Sequence, residues 1–372
     1  MTTTITLMEK LPNREYLDKK EIRERLLEKI DSFVVGIEPE IIERLNNYDS
    51  SITIDHIRNN IKDSFLNDIN LILPIKEKTI EKIANDIEKN IESKNFVLDL
   101  KDKISNLNKE EFDQIEEEGN EYLVAYLYSL GLKNKDCSFE ELKNLLIISF
   151  DRSILDYEKI IEKLDIIKNQ MEQFDSAYFL DLLIKKLDDN LNKTEKIIVS
   201  LMGHERHGLS YGAYNPITNN IETPLLNHHN SKQLKATIMH EITHIMLANL
   251  FGRPKRNFIS RSLKAKFYPE EKRSAELDMV IFAIDESLAY CIQERYEKES
   301  TTPPYDGYQF VDPLIFKNFF ETIRDYTSDM NIQEFDKFSK EVYLYLSNQK
   351  GEVSEVVDLT INYIKEYNVN SS

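Results

Sequence analysis

The segment from Ser231 to Leu250 constrains how this chain folds more than any other. From Leu234 it reads Leu-Lys-Ala-Thr-Ile-Met-His-Glu-Ile-Thr-His-Ile-Met-Leu-Ala-Asn-Leu, with Ser231 placed to cap its start and no Gly or Pro before Gly252 and Pro254. These signals predict a helix marked at both ends. Ala236, Ile238, Met239, Ile242, Ile245, Met246, Leu247 and Leu250 make it apolar almost all round, so the rest of a domain must enclose it. Yet the same helix carries His240, Glu241 and His244, and polar groups taken out of water need partners.

Helical geometry sets residues four apart one turn from each other on one face, so both imidazoles can bind a single Zn²⁺. Glu241 then stands about 100° round the axis, close enough to take a proton from a water held by that ion. With 7 histidines in 372 residues, this five-residue pattern arises by chance in on the order of one such chain in a hundred, so its surroundings must decide. A pair of hydrogen-bonded core histidines would explain the burial but neither the glutamate nor the spacing.

At 372 residues the chain can form two or three domains with a substantial core. Its net charge of −18 argues against nucleic acid or an anionic membrane as the main partner, and solubility accounts for it. Met1 to Lys20 lacks the basic start and apolar run of a signal peptide, and no later stretch nears about 18 uninterrupted apolar residues. The expectation is a cytoplasmic protein without a transmembrane segment. Cys137 and Cys291 are the only cysteines and have no CxxC spacing, which predicts reduced thiols rather than a disulfide framework.

Composition and periodicity predict a mainly α chain with a small α+β unit. Residues 1–192 read as a helical domain: Lys20–Leu45, Ile75–Ser93, Lys109–Leu130 and Phe139–Phe150 alternate apolar stripes with Lys/Glu faces. Turns are expected near Gly36-Ile37-Glu38-Pro39, Pro74 and Gly131. Ile160, Leu164, Ile167, Met171, Phe174 and Tyr178 recur as in a short coiled-coil seam, suited to a helical hairpin. Residues 193–300 read as the α+β unit. There Ile197–Met202 is expected to be a buried strand, and Gly208–Pro216 and Ile221–Leu225 two strands joined around an Asn-rich turn. A long helix from Arg273 to Lys298 should follow. Residues 301–372 read as further helices packing on that unit, the first capped by Asp312-Pro313 and the last following Gly351.

A catalytic zinc site usually takes three protein ligands, so one more is required. On the Arg273–Lys298 helix, Glu286 shares a face with Met279, Phe282, Ala283, Ala289 and Tyr290, where a carboxylate is costly to bury unless it meets a cation. Glu286 is therefore the first candidate. Glu276, which has Lys272 and Arg273 within a turn, and Asp285 remain alternatives, as do ligands elsewhere.

Gly212-Ala213-Tyr214-Asn215-Pro216 with Ile221, the helix holding His240-Glu241-Ile242-Thr243-His244, and Asp285-Glu286-Ser287-Leu288-Ala289-Tyr290 together resemble the gluzincin branch of the zincin metallopeptidases. The resemblance spans roughly Lys196 to Lys298, and only the HExxH is highly specific. It implies a zincin fold with a strand along the substrate cleft, ligands His240, His244 and Glu286, and Glu241 as general base. Ser287 stands where many relatives have Gly, and the interval from His244 to Glu286 is longer than in thermolysin-like members, which leaves the subfamily open.

The expected activity is hydrolysis of peptide or protein substrates, with Zn²⁺ as cofactor and Glu241 shuttling the proton. Tyr290, one turn from Glu286, is the first candidate for stabilising the oxyanion, although a core aromatic with a satisfied hydroxyl explains it as well; His204, His207, Tyr305 and Tyr308 are weaker candidates. His204, His207, His228 and His229 are expected in solvated loops rather than as ligands. Peptide deformylases also use HExxH, but they need an upstream metal-binding Cys in a Gly-rich segment, and Cys137 lies in a Lys/Glu-rich stretch. The reading from another class is a helical interaction or regulatory protein carrying an inactive zincin domain; an intact Glu241 weighs against it.

Overall fold

The computed structural model describes residues 18–48, 52–117, 138–207, 212–215, 220–250, 272–297, 312–349 and 351–367. Helix α1 (Lys19–Asn47) begins where the Asp18 side chain accepts from the Lys20 N–H, and one stripe of it buries Ile22, Leu26, Ile30, Val34, Ile37, Ile41 and Leu45. That stripe runs straight through Gly36 and Pro39, where a turn was expected. Proline inside a helix costs about 3 kcal/mol, which burial of even two such aliphatic side chains offsets. Val35, whose carbonyl loses its helical donor, sits on the exposed side.

Helix α2 (Ile54–Asn70) is capped by Thr53, and α3 (Ile72–Asn106) accommodates Pro74 in its first turn. Then come α4 (Lys109–Glu117), α5 (Phe139–Gln173), α6 (Ser176–Leu187) and α7 (Lys193–His207). The expected strand Ile197–Met202 is part of α7. A reciprocal cap starts this helix: Asn192 Oδ1 accepts from Glu195 N at 2.9 Å and Glu195 Oε2 from Asn192 N at 3.0 Å. Ile198, Val199 and Met202 then face inward on one helical side.

Two short strands form within the expected pair: the second takes in Asn220 and stops at Glu222 rather than Leu225, and residues 216–219 between them lie outside the described residues. β1 (Ala213–Asn215) pairs antiparallel with β2 (Asn220–Glu222), Tyr214 opposite Ile221, and this hairpin is the only sheet among the described residues. The helix α8 (Ser231–Leu250) follows, capped one residue earlier than expected: Asn230 Oδ1 accepts from Gln233 N at 2.8 Å, while Ser231 bonds Asp189 through its N–H and hydroxyl. Next are α9 (Lys272–Glu297), α10 (Pro313–Thr327), α11 (Ile332–Ser347) and α12 (Val353–Glu366). Asp312 Oδ1 caps α10 at Leu314 N, 2.8 Å, with Pro313 in the first turn as the sequence indicates.

The chain is thus mainly helical, as expected, but its compact units part after Ile75 and Asp175 rather than near 192 and 300. One unit joins Met1–Ile75 to Ser176–Ser372; the other is Lys76–Asp175. In the first, α8 is enclosed by α9, α1 and the hairpin, and α9 also packs on α10, α11 and α12. Ile238, Met239, Ile242, Met246 and Leu247 are fully buried there, as the all-round apolar pattern requires. The expected boundary fails because α1 and α2, remote in sequence, pack in the same unit as α8.

The second unit has its own core of Val97, Ile104, Phe112, Leu146 and Phe150, closed by Leu100, Leu107, Phe139, Leu142, Ile154 and Tyr157. Of the expected seam, Ile167 and Met171 are buried but Ile160 is exposed. Lys76 Nζ donates to the Phe174 carbonyl at 2.6 Å, so the chain enters and leaves this unit at neighbouring points.

Candidate metal centre

One turn of α8 presents His240 and His244 toward α9, where Ala283 and Ala289 let the two helices approach and Glu286 points back between them. The ring nitrogens His240 Nε2 and His244 Nε2 lie 3.1 Å apart, and Glu286 reaches them at 3.7 Å and 3.5 Å through its two oxygens. Ligands on a tetrahedral Zn²⁺ with bonds of about 2.0–2.1 Å stand about 3.3 Å from one another, so this spacing fits an ion at the centre. All three residues are buried, and they form the only such group of three or more His, Cys, Asp or Glu among the described residues. The group could hold a metal ion.

Its electrostatics favour a cation. Burial, the largest influence on His240, opposes its charged form, yet Glu286 and Glu241 hold its pKa above the ordinary histidine value. The field that retains a proton there also attracts a metal ion. His244 is oriented from behind: its Nδ1 donates to Asp285 Oδ2 at 3.0 Å, which leaves the Nε2 lone pair directed at the centre. Asp285, considered as a ligand from sequence, is fully buried, bonds the far nitrogen of His244 and is not one of the three converging residues. Its role was hidden because its partner lies on another helix. The side chain of Glu276, the other alternative, lies outside the described residues.

Glu241 is buried beside the histidines, under the hairpin. A Cβ at Gly212, just before β1, would stand 2.8 Å from both Glu241 Oε1 and Thr237 Cγ2. Only glycine lets the backbone come this close to the carboxylate. Tyr290 is half-buried, its ring edge-on to His240 with centroids 4.7 Å apart and tilted against Phe316 at 6.1 Å.

The other histidines considered from sequence, and the cysteines, divide. His204 is exposed, but on α7 rather than in a loop. His228 is buried, contrary to expectation, because its Nδ1 donates to the Pro224 carbonyl at 2.7 Å; His229 is exposed. Cys291 is a free, buried thiol on the α10 side of α9, where burial pushes its pKa well up, and it takes no part in the cluster. The His207 side chain, Cys137, Tyr305 and Tyr308 lie outside the described residues.

A polar clamp fixes the approach to α8. Lys186 is buried on α6 and donates to the Leu225 carbonyl, burial lowering its pKa to about 7 against the opposing pull of Asp68. Asp68 Oδ2 accepts from Leu226 N at 3.2 Å, and Ser64 Oγ from Thr223 N at 3.0 Å. Gly203 of α7 lies against the same turn, where a Cβ would come within 2.6 Å of the Leu226 carbonyl oxygen.

No family model, curated protein or solved structure matches this chain. No helix among the described residues is long and apolar enough to cross a membrane.

Proposed function

We propose that the chain is a zinc-dependent peptidase of gluzincin type, with His240, His244 and Glu286 as ligands and Glu241 as general base. The observation that carries this reading is the convergence of two histidines and a glutamate from facing helices at ligand spacing, with a second buried glutamate beside them. Zn²⁺ bound there would supply Lewis-acid polarisation of a carbonyl and lower the pKa of a water molecule. Glu241 takes the proton of the attacking water and delivers it to the leaving amine. Its burial under the hairpin keeps the carboxylate in one place, and β1 offers a short edge along which an extended peptide could lie. Tyr290, beside His240, is the residue best placed to donate a hydrogen bond to the carbonyl oxygen as it gains charge.

A helical interaction protein carrying an inactive centre would have no use for Glu241, and no feature of the site favours that alternative. The test is hydrolysis of unfolded casein by the zinc-loaded full chain. Wild type is expected to cleave it, and Glu241→Gln to keep its zinc and lose cleavage, because the base is not a ligand. Glu241→Gln cleaving at the wild-type rate would rule out the mechanism.

A further inference from the structure

We infer that Arg44, on α1, is a positioning residue for the metal-bearing turn of α8, an assignment that rests on the zinc reading above. Arg44 is completely buried. Its Nη1 donates to the Met239 carbonyl at 3.1 Å and its Nη2 to Thr243 Oγ1 at 3.1 Å. Met239 immediately precedes His240, and Thr243 immediately precedes His244. The Thr243 hydroxyl in turn donates a hydrogen bond to the Met239 carbonyl at 3.0 Å, which closes a ring of bonds across the turn that carries both imidazoles.

The guanidinium is itself anchored. Its Nε reaches Asp336 Oδ1 and Oδ2 on α11 at 3.2 and 3.3 Å, and Nη2 reaches Oδ1 at 2.9 Å. Asn47 Nδ2 holds Oδ2 at 3.1 Å. One planar fork therefore ties α11 and α1 to the two positions that set the rotation of α8 about its axis.

Stability alone does not call for this arrangement. Replacing a buried ion pair by apolar side chains of similar size is commonly neutral or stabilising, because the pair pays for its own desolvation. An apolar pair would fill the space but would not fix direction. Metal geometry tolerates errors of only about 0.5 Å and 10–20°, and a slight roll of α8 moves both Nε2 atoms by more than that.

The experiment measures zinc affinity of the full chain by competition with a chromophoric chelator, together with the visible absorption of the Co²⁺-substituted protein and thermal unfolding. The double variant Arg44→Met/Asp336→Leu is expected to melt no lower than wild type, yet to bind zinc about 10- to 100-fold more weakly with altered Co²⁺ bands. Arg44→Lys, which keeps the charge but not the fork, is expected not to restore affinity. Thr243→Val keeps the Arg44–Asp336 pair and the side-chain shape, so it reports even if the double variant does not fold; its affinity is expected to fall about 3- to 10-fold. Wild-type affinity and Co²⁺ bands in Thr243→Val, or in a folded double variant, would overturn the positioning role while leaving the zinc reading intact. A wild-type chain that binds no zinc would overturn both.

Discussion

Asp285 and Glu286 are chain neighbours that point in different directions. Glu286 faces the gap between the two Nε2 atoms, whereas Asp285 is turned to the back of His244. Glu286→Ala is expected to weaken zinc binding at least 10-fold, and Asp285→Asn to weaken it about 10-fold while leaving the three ligands in place, since outer partners of ligating histidines typically contribute 10- to 100-fold. Calorimetric titration of the metal-free protein checks both. Glu286→Ala binding zinc like wild type would remove it from the ligand set. The place of Glu286 beside the two histidines was legible in the sequence because its helical neighbours give it no counter-charge. Asp285 and Arg44 were not, because their partners are brought in by tertiary packing from 41 and more residues away.

At the scale of elements, α8 was legible because an all-round apolar run without Gly or Pro suits a buried helix, although its cap lies one residue earlier than expected, and the strand pair because two short stretches flank the Asn-rich segment. Ile197–Met202, expected as a strand, is helical: a short, mostly apolar run suits either state, and the cap from Asn192 to Glu195 just upstream starts the helix. The boundary expected at 192 failed for a related reason, since helices that repeat the same Lys/Glu pattern do not reveal which of them share a core. Arg44, Ser64 and Asp68 lie on α1 and α2 and bond to α8 and the segment before it. A fragment beginning at Ser176 is therefore expected to be insoluble or free of zinc. Deleting Lys76–Asp175 and bridging the ends with a short Gly/Ser linker is expected to retain folding and zinc affinity, because the chain enters and leaves that unit side by side. Circular dichroism and zinc titration of the two proteins check this; a zinc-binding Ser176 fragment would contradict it.

Across the whole molecule, the parts that build and brace the centre come from positions as far apart as Arg44 and Asp336, all within the unit formed by Met1–Ile75 and Ser176–Ser372. The net charge of −18 adds a long-range field that favours any cation, but it does not choose a site. Choice comes from ligand geometry, and His240, His244 and Glu286 are the only such group among the described residues. On the proposed reading, these three side chains hold one zinc ion. Elemental analysis of the purified full chain combined with zinc K-edge X-ray absorption tests it most directly. The expected result is one zinc per chain with two imidazole nitrogens at about 2.0–2.1 Å and carboxylate oxygen at about 2.0–2.2 Å, lost in His240→Ala and His244→Ala. A zinc-free chain, a sulfur shell at about 2.3 Å, or undiminished zinc in both histidine variants would contradict it.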